Sequence, residues 1–276
     1  MKTIAFQGEP GAFSELAAFR FFNGKVRPAP RGKFEEVFKA VLSGTCDFGI
    51  VPIENSLSGS IHENYDLLLK YPVWISGEVK LRISHCLIAN PGVRLRDVRK
   101  VYSHPVALSQ CRGFLKKLKN AEPLAYYDTA GSVKFVRDSG LLDSAAIASQ
   151  QAADDYGMNV LSKRVEDNEK NFTRFFILTR KAVRPKGDCK TSVVFALKNM
   201  PGALYKSLSV FAIQDIDLHK IESRPILGSP WKYIFYLDFE GDIFTRSTRR
   251  AVEHLKEITA YLKILGSYRA GREILP

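Results

Sequence analysis

Long apolar runs are missing from this chain. Stretches such as 175–178 fall far short of the ~20 residues that a membrane-spanning helix requires, so no transmembrane segment is expected. A leader is missing as well: MKTIAFQGEPG passes from one Lys into a β-like run and a turn, without an apolar h-region or an Arg/Ser-rich stretch. The expectation is a cytoplasmic protein that begins at its first strand. Cysteine is scarce, and Cys46, Cys86, Cys111 and Cys189 form neither a CxxC pair nor a His/Cys cluster of metal-ligand spacing. They read as small buried hydrophobes or idle thiols. With no Gly-x-Ser-x-Gly elbow and no metal-ligand set, hydrolysis through that nucleophile and metal-assisted chemistry are not expected.

The 276 residues suffice for one large or two medium domains, and 45% hydrophobic with 25% charged residues is an ordinary globular balance. A net charge of +12 raises the question of nucleic acid, because a basic surface attracts phosphates. The basic residues are dispersed, however. Of their concentrations at 112–119, 180–190 and 246–256, the last two read as a linker and a solvated helix face. No nucleic-acid partner is expected, and a small anionic substrate fits the charge equally well.

Strand-like and helical patterns alternate: strand 3–6, helix 14–22, the runs 34–42 and 48–52, helix 62–71, then strands across 73–89. Helix 107–118, strand 123–127, helix 130–138, strand 145–149, helix 150–156 and strand 172–178 follow. This βα succession favours a mostly parallel sheet. The polar, basic stretch TRKAVRPKGDCK at 179–190 reads as a linker. Beyond it, strand 191–197, helix 202–214, strands 218–225 and 231–239, helix 244–259 and strand 262–267 give the order βαββαβ, a ferredoxin-like split βαβ sandwich.

Five segments could carry chemistry. GEPGAFSELAAF from Gly8 sets a glycine-containing turn before the first helix, where backbone amides can hold an anion or Ser14 can simply cap the helix. VPIENSLSGSIHENYDLL from Val51 ends a strand in Glu54, Asn55 and Ser56, polar groups where α/β sheets bind ligands, with Ser60 free to cap the next helix. In YSHPVALSQC, Ser103 and His104 join a strand to a helix, and His104 is either a base or a capping residue. DTAGSVKF from Asp128 offers the hydroxyls of Thr129 and Ser132. NFTRFFIL places Asn171, Thr173 and Arg174 before Phe175 and an apolar run, with the Arg on a rigid element suited to gripping a carboxylate. Together these groups describe a site for carboxylates and hydroxyls.

Through GEPGAFSELAA, PIENSLSGSIHENYDLL, SHPVALSQC, DTAGSV, AAIASQQAADDYG, NFTRF, PGALYKSL and KIESRP, in this order, the chain resembles the prephenate dehydratases from about residue 4 to 268. The resemblance implies an α/β, bilobed catalytic domain like the type II periplasmic binding proteins over 1–180, with a hinge crossed twice. A linker at 181–190 and a ferredoxin-like βαββαβ ACT domain over 191–276 complete it. It further implies a lyase of phenylalanine biosynthesis that turns prephenate into phenylpyruvate with loss of CO2 and water, and that needs no cofactor.

By the family's Thr-Arg-Phe motif the essential threonine is Thr173, with substrate-binding groups at Glu54, Asn55, Ser103, Gln110 and Arg174. Ser56, Thr129, Asn171 and Phe175 are expected to join them. Thr173 is expected to donate a hydrogen bond that strengthens as the ring C–O bond breaks, with Glu54 or a water replenishing the proton. Arg174 is expected to hold the pyruvyl carboxylate, leaving the ring carboxylate in drier surroundings near Phe175. In the second domain the resemblance implies phenylalanine as allosteric effector, bound by Gly202, Ala203, Leu204, Asp217, Leu218, Glu222 and Ser223 in a homodimer or homotetramer. The sequence departs from the family at Asp217, where Asn is usual, and at Val106, where Gln is usual. Competing readings are arogenate dehydratase, the same elimination on the transaminated substrate, and a non-catalytic amino-acid sensor. Thr173 between Asn171 and Arg174 argues against the sensor.

Overall fold

The structure is a computed structural model that describes residues 1–226, 228 and 232–275. From the N-terminus the chain forms β1 (Lys2–Gln7), α1 (Phe13–Phe21), β2 (Val26–Arg31), α2 (Phe34–Ser43), β3 (Phe48–Asn55), the short β4 (Gly59–Ser60), α3 (His62–Lys70) and β5 (Trp74–Arg82). It continues through β6 (Cys86–Ala89), β7 (Lys100–Ser103), α4 (Pro105–Gln110), α5 (Arg112–Lys117) and β8 (Glu122–Ala125). Next come α6 (Thr129–Asp138), β9 (Ser144–Ala148), α7 (Gln150–Tyr156), β10 (Asn159–Lys163) and β11 (Phe172–Thr179). The remainder holds β12 (Cys189–Leu197), α8 (Ala203–Ala212), β13 (Leu218–Pro225), β14 (Tyr233–Glu240), α9 (Arg246–Ile258), β15 (Thr259–Arg269) and β16 (Glu273–Ile274). Trp231, where the sequence places the start of a strand, lies outside the described residues.

Two compact units divide the chain, and the division is not linear. Residues 1–65, 79–175 and those from Arg272 form the first; 66–78 and 176–271 form the second. The first unit is built on two sheets. One has the order β16-β5-β11-β3-β1-β2, with β1 parallel to β2 and β3, and β4 antiparallel to β3. The other has the order β10-β6-β9-β7-β8, in which β7 runs parallel to β8 and β9 while β6 and β10 run antiparallel. Both sheets are therefore mixed, where the sequence favours mostly parallel strands. The chain leaves the first sheet after β5 and returns to it in β11, so the two lobes are linked by a double crossing, the layout of the type II periplasmic-binding-protein-like fold.

Local chemistry explains most boundaries. In α2, Val37, Phe38, Ala40 and Val41 make one buried stripe, and Gly44 at φ 78° ends the helix in the left-handed region. Asp128 and Ser149 cap α6 and α7 by accepting from Ala130 N and Ala152 N. Ser14 does not cap α1 as its sequence position suggests; Ala12 holds the N-cap position and Ser14 lies inside the helix.

The second unit is an antiparallel sheet of order β13-β14-β12-β15 with α8 and α9 on one face, the ferredoxin-like βαββαβ arrangement. Its core sets Phe195, Leu237 and Phe239 against Phe211, Ala251 and Leu255. Elsewhere on this sheet, Gly266 comes so close to the Ile75 carbonyl that a Cβ would collide with it, and the Phe176 ring meets Tyr268 edge-on at 5.6 Å. Among the described residues no helix is long and apolar enough to cross a membrane.

Candidate active site

The two hinge segments, 83–85 and 164–171, are bonded to each other. His85 N donates to Glu166 Oε2 at 2.8 Å, Val165 N to the His85 carbonyl at 3.0 Å, and Ile83 N to the Asn171 carbonyl at 2.7 Å. Arg82 Nη2 lies 3.5 Å from Glu166 Oε1 and partners the buried carboxylate.

From this hinge a run of amides leads to Thr173, and backbone donors set its polarity. Leu57 N and Ser58 N donate to Asn55 Oδ1 at 3.0 and 2.9 Å. Asn55 Nδ2 therefore faces Asn171 Oδ1 at 2.7 Å and Thr173 Oγ1 at 3.0 Å. Asn171 Nδ2 donates in turn to Gln110 Oε1 at 2.9 Å, and Gln110 Nε2 to Ser58 Oγ at 3.2 Å. The same Gln110 oxygen sits 3.2 Å from His85 Nε2, which places the imidazole proton on that nitrogen. Because Thr173 Oγ1 accepts from Asn55, its own proton is left for a group in the cavity.

That cavity, of about 620 Å³ within the first unit, lies where α/β sheets bind ligands, beyond the carboxyl ends of β1, β3 and β7. The starts of four helices of nine or ten residues line it: Ala12 and Phe13 at α1, Lys33 and Phe34 at α2, Ile61 and Glu63 at α3, and Asp128 and Thr129 at α6. Neither α1 nor α2 has a side-chain hydrogen bond at its N-cap, although Glu15 stands in the first turn of α1 and Glu35 and Glu36 in that of α2. His85 and His104 also line it, and burial pushes both imidazole pKa values down, in His104 against the raising effect of Asp128. Burial raises the Asp128 pKa despite backbone amides that favour its charged form.

Of the residues expected from the sequence, Asn55, Gln110, Thr129, Thr173 and Phe175 line the cavity, and Asn171 is fully buried behind them. Glu54 and Arg174 do not line it. Successive strand side chains alternate in direction, so these two turn away from the face of Asn55 and Thr173, and lie 3.6 Å apart. The pair stands beside the cavity rather than on its lining. Ser56 is a staple, donating to the Lys170 carbonyl at 3.0 Å and accepting from Phe172 N at 2.9 Å. Ser103 is fully buried and donates to the Ile147 carbonyl at 2.6 Å, which uses its hydroxyl inside the second lobe. His104 caps α4, its Nδ1 accepting from Val106 N at 3.3 Å. His85 and Lys33 escaped the sequence reading because nothing local marks a turn histidine or a lysine before a helix as cavity residues.

In the second unit, Gly202 at φ 73° is the N-cap of α8, which lacks a side-chain cap, and Ala203 and Leu204 open the helix. Asp217 and Leu218 stand at the start of the edge strand β13, with Glu222 and Ser223 further along it and Glu222 3.4 Å from Lys220.

Known proteins resemble this chain in sequence and in fold. A sequence model of the family described as prephenate dehydratase matches residues 4–183. A curated relative, arogenate dehydratase/prephenate dehydratase 2, chloroplastic, of Arabidopsis thaliana, is 44% identical over 283 residues, covering 99% of this chain and 74% of the relative. Prephenate dehydratase from Arthrobacter aurescens, solved in complex with L-Phe, superimposes with a TM-score of 0.90 at 31% identity, covering 97% of this chain and 90% of that one. A structure described as GqqA, a novel type of quorum quenching acylase, gives 0.89 at 35% identity with 98% of both chains covered. The chain belongs to the prephenate dehydratase family.

Proposed function

We propose that this chain converts prephenate to phenylpyruvate in aromatic amino acid biosynthesis and that phenylalanine regulates it. The observation that carries the reading is the polarity of the Thr173 hydroxyl, an acceptor from Asn55 and hence a donor toward the cavity. In the reaction the ring C–O bond breaks and its electron pair leaves with the hydroxyl oxygen. The C–C bond to the ring carboxylate breaks as CO2 departs, and its electron pair completes the benzene ring. No outside oxidant or reductant enters the balance. Thr173 stabilises the departing oxygen by a hydrogen bond that strengthens as charge develops. The helix starts of α1 and α2 supply a sink for carboxylate charge without a tight ion pair, which would hold the departing CO2 back.

Arogenate is a second reading, favoured by one feature: Asp128 and Glu63 line the cavity and could pair with an ammonium group that prephenate lacks. An acylase reading draws less support, because the group that meets Thr173 Oγ1, Asn55 Nδ2, is an amide donor rather than a base.

Effector binding belongs to the second unit, read as an ACT domain. The uncapped start of α8 suits the carboxylate of an amino acid, and Asp217 can accept from its ammonium. A homodimer or homotetramer is part of the family reading, and the edge strand β13, beside which Ile221 and Tyr233 are each 44% exposed, is compatible with it. Four free cysteines fit a reducing compartment such as the cytoplasm.

The test is to supply prephenate and arogenate at equal concentration, with and without phenylalanine, and to follow phenylpyruvate and phenylalanine formation. Faster turnover of prephenate, slowed by phenylalanine, is expected. Preference for arogenate would establish the second reading, and turnover of neither would end both.

A further inference from the structure

Helix α3 is tied down at both ends by different partners. Its N-terminal half is bonded to β3, the strand that carries Asn55. Ile61 N donates to the Ile53 carbonyl at 2.9 Å, and fully buried Asn64 donates through Nδ2 to the Pro52 carbonyl at 2.7 Å. Ser60, Ile61 and Glu63 line the cavity. At the other end, Lys263 of β15 donates through Nζ to the carbonyls of Leu68, Leu69 and Tyr71 at 2.8, 3.1 and 2.9 Å. All three donors of the ammonium group thus cap carbonyls that the end of a helix leaves unbonded, where the dipole also favours a cation. One turn earlier, Arg224 Nη2 of β13 meets Asp66 Oδ2 at 2.8 Å.

Helix α3 is only nine residues long. Two separate strands of one sheet hold its last turns, while its first turn forms part of the cavity wall. A helix this short, ~14 Å long, moves as a rigid body, so a shift at one end reaches the other. Arg224 also follows directly on Glu222 and Ser223, so a ligand drawing those residues along β13 would pull on Asp66.

We propose that Lys263 and Arg224 are positioning residues for the cavity that act through α3, and that this helix carries effector binding to substrate affinity. The second half rests on the effector reading given above; the first does not.

Lys263→Met removes the three donors and keeps most of the apolar stem. Hydrogen exchange of the amides in 58–65 is expected to quicken about tenfold in this variant. KM for prephenate is expected to rise about fivefold with kcat within about twofold, and Lys263→Arg to restore part of both. Asp66→Asn breaks only a pair in which the aspartate side chain is 38% exposed, so it keeps the test open if Lys263→Met does not fold. It is expected to quicken exchange in the same segment and to weaken phenylalanine inhibition about fivefold. Wild-type exchange over 58–65 in the variants that fold, with any change confined to 66–72, overturns the positioning role. Wild-type inhibition of Asp66→Asn overturns the effector half. A wild-type protein inert toward prephenate would strike the proposed activity instead, and the exchange measurement would still decide the role of Lys263.

Discussion

Thr173 and Asn55 bear the sharpest expectations at the scale of single residues. Thr173→Ala should lower kcat about 10²- to 10⁴-fold in steady-state assays, with Thr173→Ser retaining part of the rate because the hydroxyl survives. Asn55→Asp replaces the donor that faces Asn171 Oδ1 and Thr173 Oγ1 with an acceptor. It should cost about 1–3 kcal/mol in denaturant unfolding as well as activity. The depressed pKa values of His85 and His104 make a pH expectation. Folding favours their neutral forms, so below about pH 6.5 the unfolded chain binds more protons than the native one. Stability should be full above that point and fall as the pH drops through the native values. Raised Glu15 and Asp128 act with the opposite sign, from the ordinary carboxylate range upward. Melting curves at about pH 5 and about pH 8 should show the loss on the acid side, and His85→Gln should reduce it. Sequence motifs pointed to Asn55, Gln110 and Thr173, but could not tell them from Glu54 and Arg174, because which face a strand turns to the cavity depends on what the sheet packs against.

At the scale of elements, the turn after β1 joins the two lobes of the first unit. Ser149 Oγ donates to the Gly11 carbonyl at 2.6 Å, and Lys134 Nζ meets Glu9 Oε2 at 3.0 Å. A Cβ on Gly11 would sit 2.5 Å from the Ala152 Cα, and its φ of 85° already disfavours a side chain. Gly11→Ala should therefore destabilise the fold by about 3 kcal/mol, read from the midpoint of denaturant unfolding. Most helices and strands were legible from periodicity and turn residues. β2 was not, because Pro28 and Pro30 argue against a strand; it survives as the edge of its sheet, where a missing donor interrupts no outer ladder. The helix read over 107–118 is two, α4 and α5, since the Cys111 amide bonds back only to Leu108 while its side chain is fully buried in the second lobe. β10 was likewise unread, a short edge strand with no alternation to mark it.

At the scale of the whole chain, residues 66–78 and 176–179 belong with the four-stranded sheet rather than with the lobes that precede the linker. A fragment ending at residue 180 would leave Ile75 and Phe176 without Gly266 and Tyr268. Such a fragment should melt well below the full chain and be recovered in poor yield, as thermal scans of the two would show. By itself, the sequence determined the kinds of elements, the βαββαβ order and the family, because periodicity, turn residues and ordered motifs are properties of the chain taken a few residues at a time. Only the tertiary structure decided which motif residues face the cavity, that His85 and Lys33 join them, and that Lys263 caps α3. Those facts depend on contacts between residues as many as 195 positions apart, and no local pattern encodes them.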